Sequence, residues 1–181
     1  MIEANLGVAV RALREGEQLS LRALAERTGF SASFLSQVEN GQASPSISSM
    51  ERIATALGVT MVEFFRRAGG DVPPVTRADA RPTLQSEWSK ARIEIVGGGI
   101  QNGRLAAMLV TLEAGGSSGK RPDTSTGEEF ALVLDGSLEL TLDDGEQLLG
   151  AGDAVTIRRG AARRWHNPAD QIARILIVAV R

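Results

Sequence analysis

The apolar residues of this chain change period partway along it, and that change limits the fold more than any other feature. Across residues 5–65 they recur at helical spacing, as Leu6, Val10, Leu13, then Leu21, Leu24, Ala25, then Phe34, Leu35, Val38, then Ile47, Met50, Ile53, Ala54, Leu57. From Ala91 onward they fall into short β-rich runs of period two: ARIEIV, RLAAMLVTL, EFALVL, SLELTL, AVTI and IARILIVAV. One side-chain period cannot serve a helix face and a strand face alike. The chain therefore divides into an all-α domain over residues 6–65, a linker over 66–87 and an all-β domain over 88–181. The linker rests on AGGDVPPVTRADARP, with its Gly and Pro pairs and weak periodicity.

Local punctuation supports the helices. Ser20, Ser31, Ser46 and Thr60 are placed to N-cap the next segment, Thr60 with Glu63 spells a capping box, and Gly16, Gly29, Gly41 and Gly58 fall at segment ends. In the β part, the Asp-Gly pairs at 135–136 and 144–145 are hairpin signals, and the glycine run 97–99 reads as a turn. So many short strands close most naturally as an antiparallel barrel or sandwich of about eight or more.

Composition removes several function classes. There is no cysteine, so disulfides, thiolate catalysis and cysteine-bound zinc are excluded. The first residues lack a basic and an apolar region of the secretory kind, and the longest apolar run, residues 175–180, is strand-sized, so a cytoplasmic protein with no membrane span is expected. Residues 1–68 carry seven Arg against seven Glu within an overall net charge of −2, so charge by itself does not point to nucleic acid.

The motif does. LRALAERTGFSASFLSQVEN, residues 21–40, has Ala25 where two helices cross, Gly29 at the turn, and Leu35 and Val38 facing back. With Arg14, the ENG triplet at 39–41 and PSISSMERIATALGV after it, the segment resembles the helix-turn-helix domain of the Cro/lambda-repressor (XRE) family. The resemblance implies binding to double-stranded operator DNA as a homodimer. The third helix, from about Ala32 to Glu39 behind the Ser31 cap, then becomes the recognition helix, presenting Ala32, Ser33, Ser36 and Gln37. Gln37 suits a bidentate contact to adenine and Ala32 a thymine methyl. Phosphates fall to the amides at the starts of helices 2 and 4, near Leu21 and Ile47, and to Arg22 and Asn40. Arg14 and Glu39 match positions that form a structural ion pair across this fold.

The stretches DTSTGEEFALVLDG, residues 123–136, and GDAVTIRRGAARRWHN, residues 152–167, resemble the two motifs of the cupin (double-stranded β-helix) family. Asp123 and Ser125 stand where metal-binding cupins have their first two histidines, and Arg163 stands at the third. Only the carboxylate, Glu129, is kept. A guanidinium cannot coordinate a cation. The single histidine, His166, falls on the opposite strand face from Arg163 and Trp165. The reading is a transcriptional regulator, a repressor, with no cofactor, no metal and no catalytic residues, modulated by a small-molecule effector in a pocket of Asp123, Ser125, Glu129, Arg163 and Trp165. Arg163 must be paired, by Glu129 or Asp123, and an anionic effector is one that can compete for it. Two alternatives stand beside it: a cupin enzyme with a helix-turn-helix targeting domain, since some relatives with an iron-bearing cupin use oxygen, and a regulator whose barrel only dimerises.

Overall fold

Each helix of the N-terminal domain after the first begins where a hydroxyl can satisfy its leading amides. A computed structural model describes residues 6–67, 73–98, 104–125, 127–143 and 145–180. The chain's first residues, residues 68–72 of the expected linker, Gly99 of the glycine run and Asp144 of the second Asp-Gly pair lie outside the described residues. The helices are α1 (Leu6–Gly16), α2 (Leu21–Thr28), α3 (Ala32–Glu39), α4 (Ile47–Ala56) and α5 (Met61–Arg67). The side chains of Ser20, Ser31 and Ser46 accept from Ala23, Phe34 and Ser49 amides, and Thr60 accepts from Glu63 at 3.0 Å. The capping box is only half made. The Glu63 carboxylate turns away to Arg66 and Arg67, at 2.8 and 2.9 Å, which hold its carboxyl down at about 2.

Between α2 and α3, Gly29 takes φ 69 and donates its amide to Ala25 O, so the sharp turn uses a left-handed residue without strain. Gly7 serves another purpose. A Cβ there would lie 2.5 Å from the carbonyl oxygens of both Val38 and Glu39, so only glycine lets α1 press this closely on the end of α3. Val10, Leu13, Leu24, Leu35, Val38 and Ile53 form the core beneath.

The second domain has strands β1 (Thr83–Ser86), β2 (Ala91–Gly98), β3 (Leu105–Leu112), β4 (Asp123–Thr124), β5 (Glu128–Asp135), β6 (Ser137–Leu142), β7 (Gly145–Gly150), β8 (Ala154–Ile157), β9 (Ala162–His166) and β10 (Ala173–Val180). They form two sheets, ordered β1-β2-β3-β10-β5-β8 and β4-β9-β6-β7, with every pairing antiparallel. Alternate residues point inward: Ala131 and Val133 on β5, Ile175 and Ile177 on β10, Leu138 and Leu140 on β6, Arg163 and Trp165 on β9 are buried.

Three sequence expectations change here. Residues 83–86, read as linker, are β1 and pair with β2 through Leu84 and Ile93; four residues are too few for a pattern to declare itself. Gly97 and Gly98, read as a turn, continue β2 opposite Ala107 and Ala106, past a register shift after Ile95. Asp135-Gly136 makes no hairpin. Gly136, at φ 72, carries the chain from β5 in one sheet to β6 in the other, and the hairpin is the next one, β6 with β7.

The two domains meet along α4 and α5. The Ser48 amide donates to Ser118 O at 3.0 Å, and Ser86 Oγ donates to Pro45 O at 2.9 Å. Among the described residues no helix is long and apolar enough to cross a membrane.

Candidate functional site

On α3 the small and polar residues stand outward: Ser31, Ser33, Gln37 and Asn40 are exposed, and Ala32 and Ser36 are half-buried. Leu35 and Val38 face the core, while Phe34 stacks edge-on against Phe30 with ring centroids 5.1 Å apart. Arg22 is exposed and Leu21 half-buried at the start of α2. The start of α4 is placed differently. Ile47 is only 5% exposed, and the Ser48 amide, one of the helix's leading donors, is taken by Ser118 of the barrel. In this arrangement that helix end faces the second domain rather than solvent.

Behind α3, Glu39 is a buried carboxylate at 1% side-chain exposure, so it needs compensation. Arg14 supplies it bidentately, Nε to Oε1 at 2.6 Å and Nη2 to Oε2 at 3.0 Å, and also donates Nη1 to Leu19 O at 2.8 Å. Arg11, which sequence reasoning passed over, adds Nε to Oε2 at 3.2 Å and reaches Asn40 Oδ1 at 3.0 Å. Burial alone would push the Glu39 carboxyl up, but the two guanidiniums win and hold it below its ordinary value. Arg14 is correspondingly raised, chiefly by its hydrogen bonds to Glu39. This cluster ties α1 to the end of α3, and Asn40 is already engaged by it.

In the barrel, Glu129 from β5 and Arg163 from β9 meet across the two sheets. Arg163 grips both carboxylate oxygens, Nε to Oε2 and Nη2 to Oε1, each at 2.8 Å, and Ser125 Oγ donates to Oε1 at 2.7 Å. Asp123 is not the alternative partner of Arg163. It pairs instead with Arg52 of α4, Nη2 to Oδ1 at 2.8 Å, and the same guanidinium lies 5.3 Å over the Phe30 ring. A second carboxylate does reach Arg163, and it comes from the other domain: Glu51 Oε2 of α4 accepts from Nη2 at 3.0 Å. Nothing in the sequence separates Glu51 from other surface-patterned glutamates, because its role depends on how the domains dock. Burial, with repulsion from Glu129 and Asp123, pushes the Glu51 carboxyl up against the opposing pull of Arg163. For Arg163 burial acts the other way, and the two carboxylates overcome it, holding the guanidinium firmly charged.

Beside this triad lies a cavity of about 220 Å³ shared between the domains, with Ala54 and Met61 of the helical domain facing Ala106, Met108 and Ala179 of the barrel. Trp165 does not line it. It borders a smaller void of about 10 Å³ behind Glu51 and Arg163, and its buried indole N–H has no acceptor among the described residues. His166 points out of the barrel, its Nδ1 3.5 Å from Glu139 Oε1. The residues at the cupin metal position do not fit a cation: the one ligand-type carboxylate retained, Glu129, is occupied by a guanidinium, and among the described residues no group of three His, Cys, Asp or Glu is arranged to hold a metal ion.

Family models match both halves of the chain, "Helix-turn-helix domain" over residues 5–64 and "Cupin domain" over residues 108–179. The HTH-type transcriptional regulator PuuR of Escherichia coli (strain K12) is 27% identical over 170 residues, 94% of this chain and 91% of that protein. A beta-D-galactosidase of Mycobacterium tuberculosis (strain ATCC 25618 / H37Rv) is 35% identical over 108 residues, 57% of this chain and 90% of that protein. Among solved structures, an HTH_3 family transcriptional regulator from Vibrio cholerae superposes with a TM-score of 0.77 at 21% identity, covering 98% of this chain and 96% of that one. With each domain matched by its own family, and with regulators alike over nearly the whole length, the chain belongs to the XRE-type helix-turn-helix transcriptional regulators that carry a C-terminal cupin domain.

Proposed function

We propose that this regulator binds a near-palindromic operator as a homodimer through α3, represses transcription in the cytoplasm, and is modulated by a small molecule held between α4 and the barrel. The observation that carries the reading is that α4 belongs to the DNA-binding domain, yet its Glu51 completes the barrel's Arg163–Glu129 centre. Whatever enters the cavity touches both domains at once. In the DNA complex, Gln37, Ala32, Ser33 and Ser36 face base edges, and Leu21, Arg22, Ser31 and Asn40 meet the backbone. Ile47 joins them only if α4 leaves the barrel.

Dimerisation is supported by the outer face of the larger sheet. Register places Leu109, Leu176 and Leu132 in one row across β3, β10 and β5, and Ala107, Val178 and Phe130 in the next. Phe130 is exposed there, Leu176, Leu132, Ala107 and Val178 are half-buried and Leu109 is buried beneath them, an apolar face that suits a second copy of itself about a two-fold axis.

The barrel is proposed as a metal-free sensor and not an enzyme. The galactosidase relative favours the other reading, and glycoside hydrolysis needs two carboxyl groups flanking the bond. Here Glu129 is held by Arg163 and Ser125, and Asp123 by Arg52. Purified chain should therefore leave p-nitrophenyl β-D-galactoside intact, and elemental analysis should find well under one equivalent of Fe, Zn, Mn, Ni or Cu. Selection of bound fragments from random DNA should return one inverted repeat. Stoichiometric metal, galactoside turnover, or no sequence preference would each overturn its part of the reading.

A further inference from the structure

Resting on the regulator reading above, we propose that the Glu51–Arg163–Glu129 triad is the binding site for a small carboxylate with an apolar tail, that Glu51 is its built-in competitor, and that displacing Glu51 uncouples the two domains.

The triad holds two carboxylates on one guanidinium, and they are not held equally. Glu129 takes two hydrogen bonds from Arg163 and a third from Ser125, and is 7% exposed. Glu51 takes one, at 3.0 Å, and is 20% exposed. With Asp123 neutralised by Arg52, the centre carries one negative charge in excess when both glutamates are ionised. Of the two, Glu51 is the one an incoming anion can replace, because it gives up least and lies nearest solvent. An acid that replaces it leaves the charge of the buried centre unchanged, so exchange avoids the penalty of burying a further ion.

The cavity beside the triad selects the ligand's chemistry. Part of its wall is Ala54, Met61, Ala106, Met108 and Ala179, which suits a methylene tail, and the rest is polar, with Thr55, Thr60 and Arg104 beside the triad.

The consequence for the helical domain follows from what α4 holds. Its Arg52 reaches Asp123 on one side and the Phe30 ring, packed on Phe34 of α3, on the other, while its Ser48 amide is tied to Ser118. Loss of the Glu51 contact weakens the docking that positions α3 and frees the Ser48 amide at the start of α4, a donor a DNA phosphate would use.

The test titrates straight-chain acids from acetate to octanoate into the full chain by calorimetry at fixed neutral pH and ionic strength, with the matching amides and amines as controls. Operator affinity is measured in parallel on the selected DNA. The acids should bind one per chain, tightening with length until the cavity is filled, and the amides and amines should bind at least about tenfold more weakly for want of a charge-matched partner. Glu51→Gln should bind the same acid about 5- to 150-fold more tightly, the range of ordinary coupling between sites. Without ligand it should shift operator affinity in the direction in which the acid shifts the unaltered chain. Arg163→Met should lose acid binding; should that variant fail to fold, the Glu51→Gln result alone decides. Acids that bind no better than amides, or a Glu51→Gln chain that gains no affinity, would overturn the proposal. A chain that selects no DNA at all defeats instead the regulator reading on which it rests.

Discussion

Glu39 sits at the end of α3 with two guanidiniums on its carboxylate and almost no contact with water. Its carboxyl is held below the ordinary value of 4.5, so its contribution to stability is fully present above that value and is lost as pH falls through the lowered one. Glu39→Gln should flatten this acid limb in a series of thermal melts of the full chain. At neutral pH it should cost about 3 kcal/mol, the low end for breaking a buried pair, because glutamine keeps one acceptor for Arg14. Equal acid limbs in the two proteins would show that the pair does not control acid unfolding. Gly7 is a second point where one residue decides. An added methyl meets backbone carbonyls of Val38 and Glu39 rather than a movable side chain, so Gly7→Ala should destabilise by about 1–3 kcal/mol, read as a lower denaturant midpoint with unchanged slope.

At the scale of elements, α3 is a helix of eight residues, too short to persist alone, and its form depends on the Ser31 cap and on Leu35 and Val38 packing inward. That packing fixes which side faces out. Gln37 lies exposed on it, with its backbone carbonyl accepting from the Gln42 amide at 2.8 Å, so the side chain alone is available for recognition. Gln37→Ala should weaken operator binding by about 1–3 kcal/mol and relax preference at one base pair per half-site, as read by competition among single-base operator variants. A footprint and base preference like those of the unaltered chain would remove Gln37 from the recognition set. The outer rows of β3, β10 and β5 are the equivalent determinant in the barrel, where strand register lines up leucines that the one-dimensional pattern leaves scattered.

For the whole molecule, those rows predict assembly. The full chain should sediment as a dimer at micromolar concentration, and Phe130→Glu with Leu176→Glu should give monomers, with operator affinity falling as the second half-site is lost. A double variant that remains a dimer would move the interface to the helical domain. The same scale explains why α4 is the element to watch. Its residues are divided between the helical core, through Met50 and Ile53, and the barrel, through Ser48, Glu51 and Arg52.

What the amino-acid sequence determined by itself was local. The change of period located the helices and most strands and the hydroxyl caps marked helix starts, because each of these signals lies within a short stretch of chain, while resemblance to the two families pointed to Arg14, Glu39, Glu129 and Arg163. Tertiary structure decided the rest. Arg11 joins Glu39 across 28 residues and Glu51 joins Arg163 across 112, while Asp123 leaves the expected Arg163 for Arg52, 71 residues away. A surface arginine or glutamate has no pattern that names its partner. Burial chooses it, since a charge removed from water must be matched by whichever opposite charge the docked elements bring within reach.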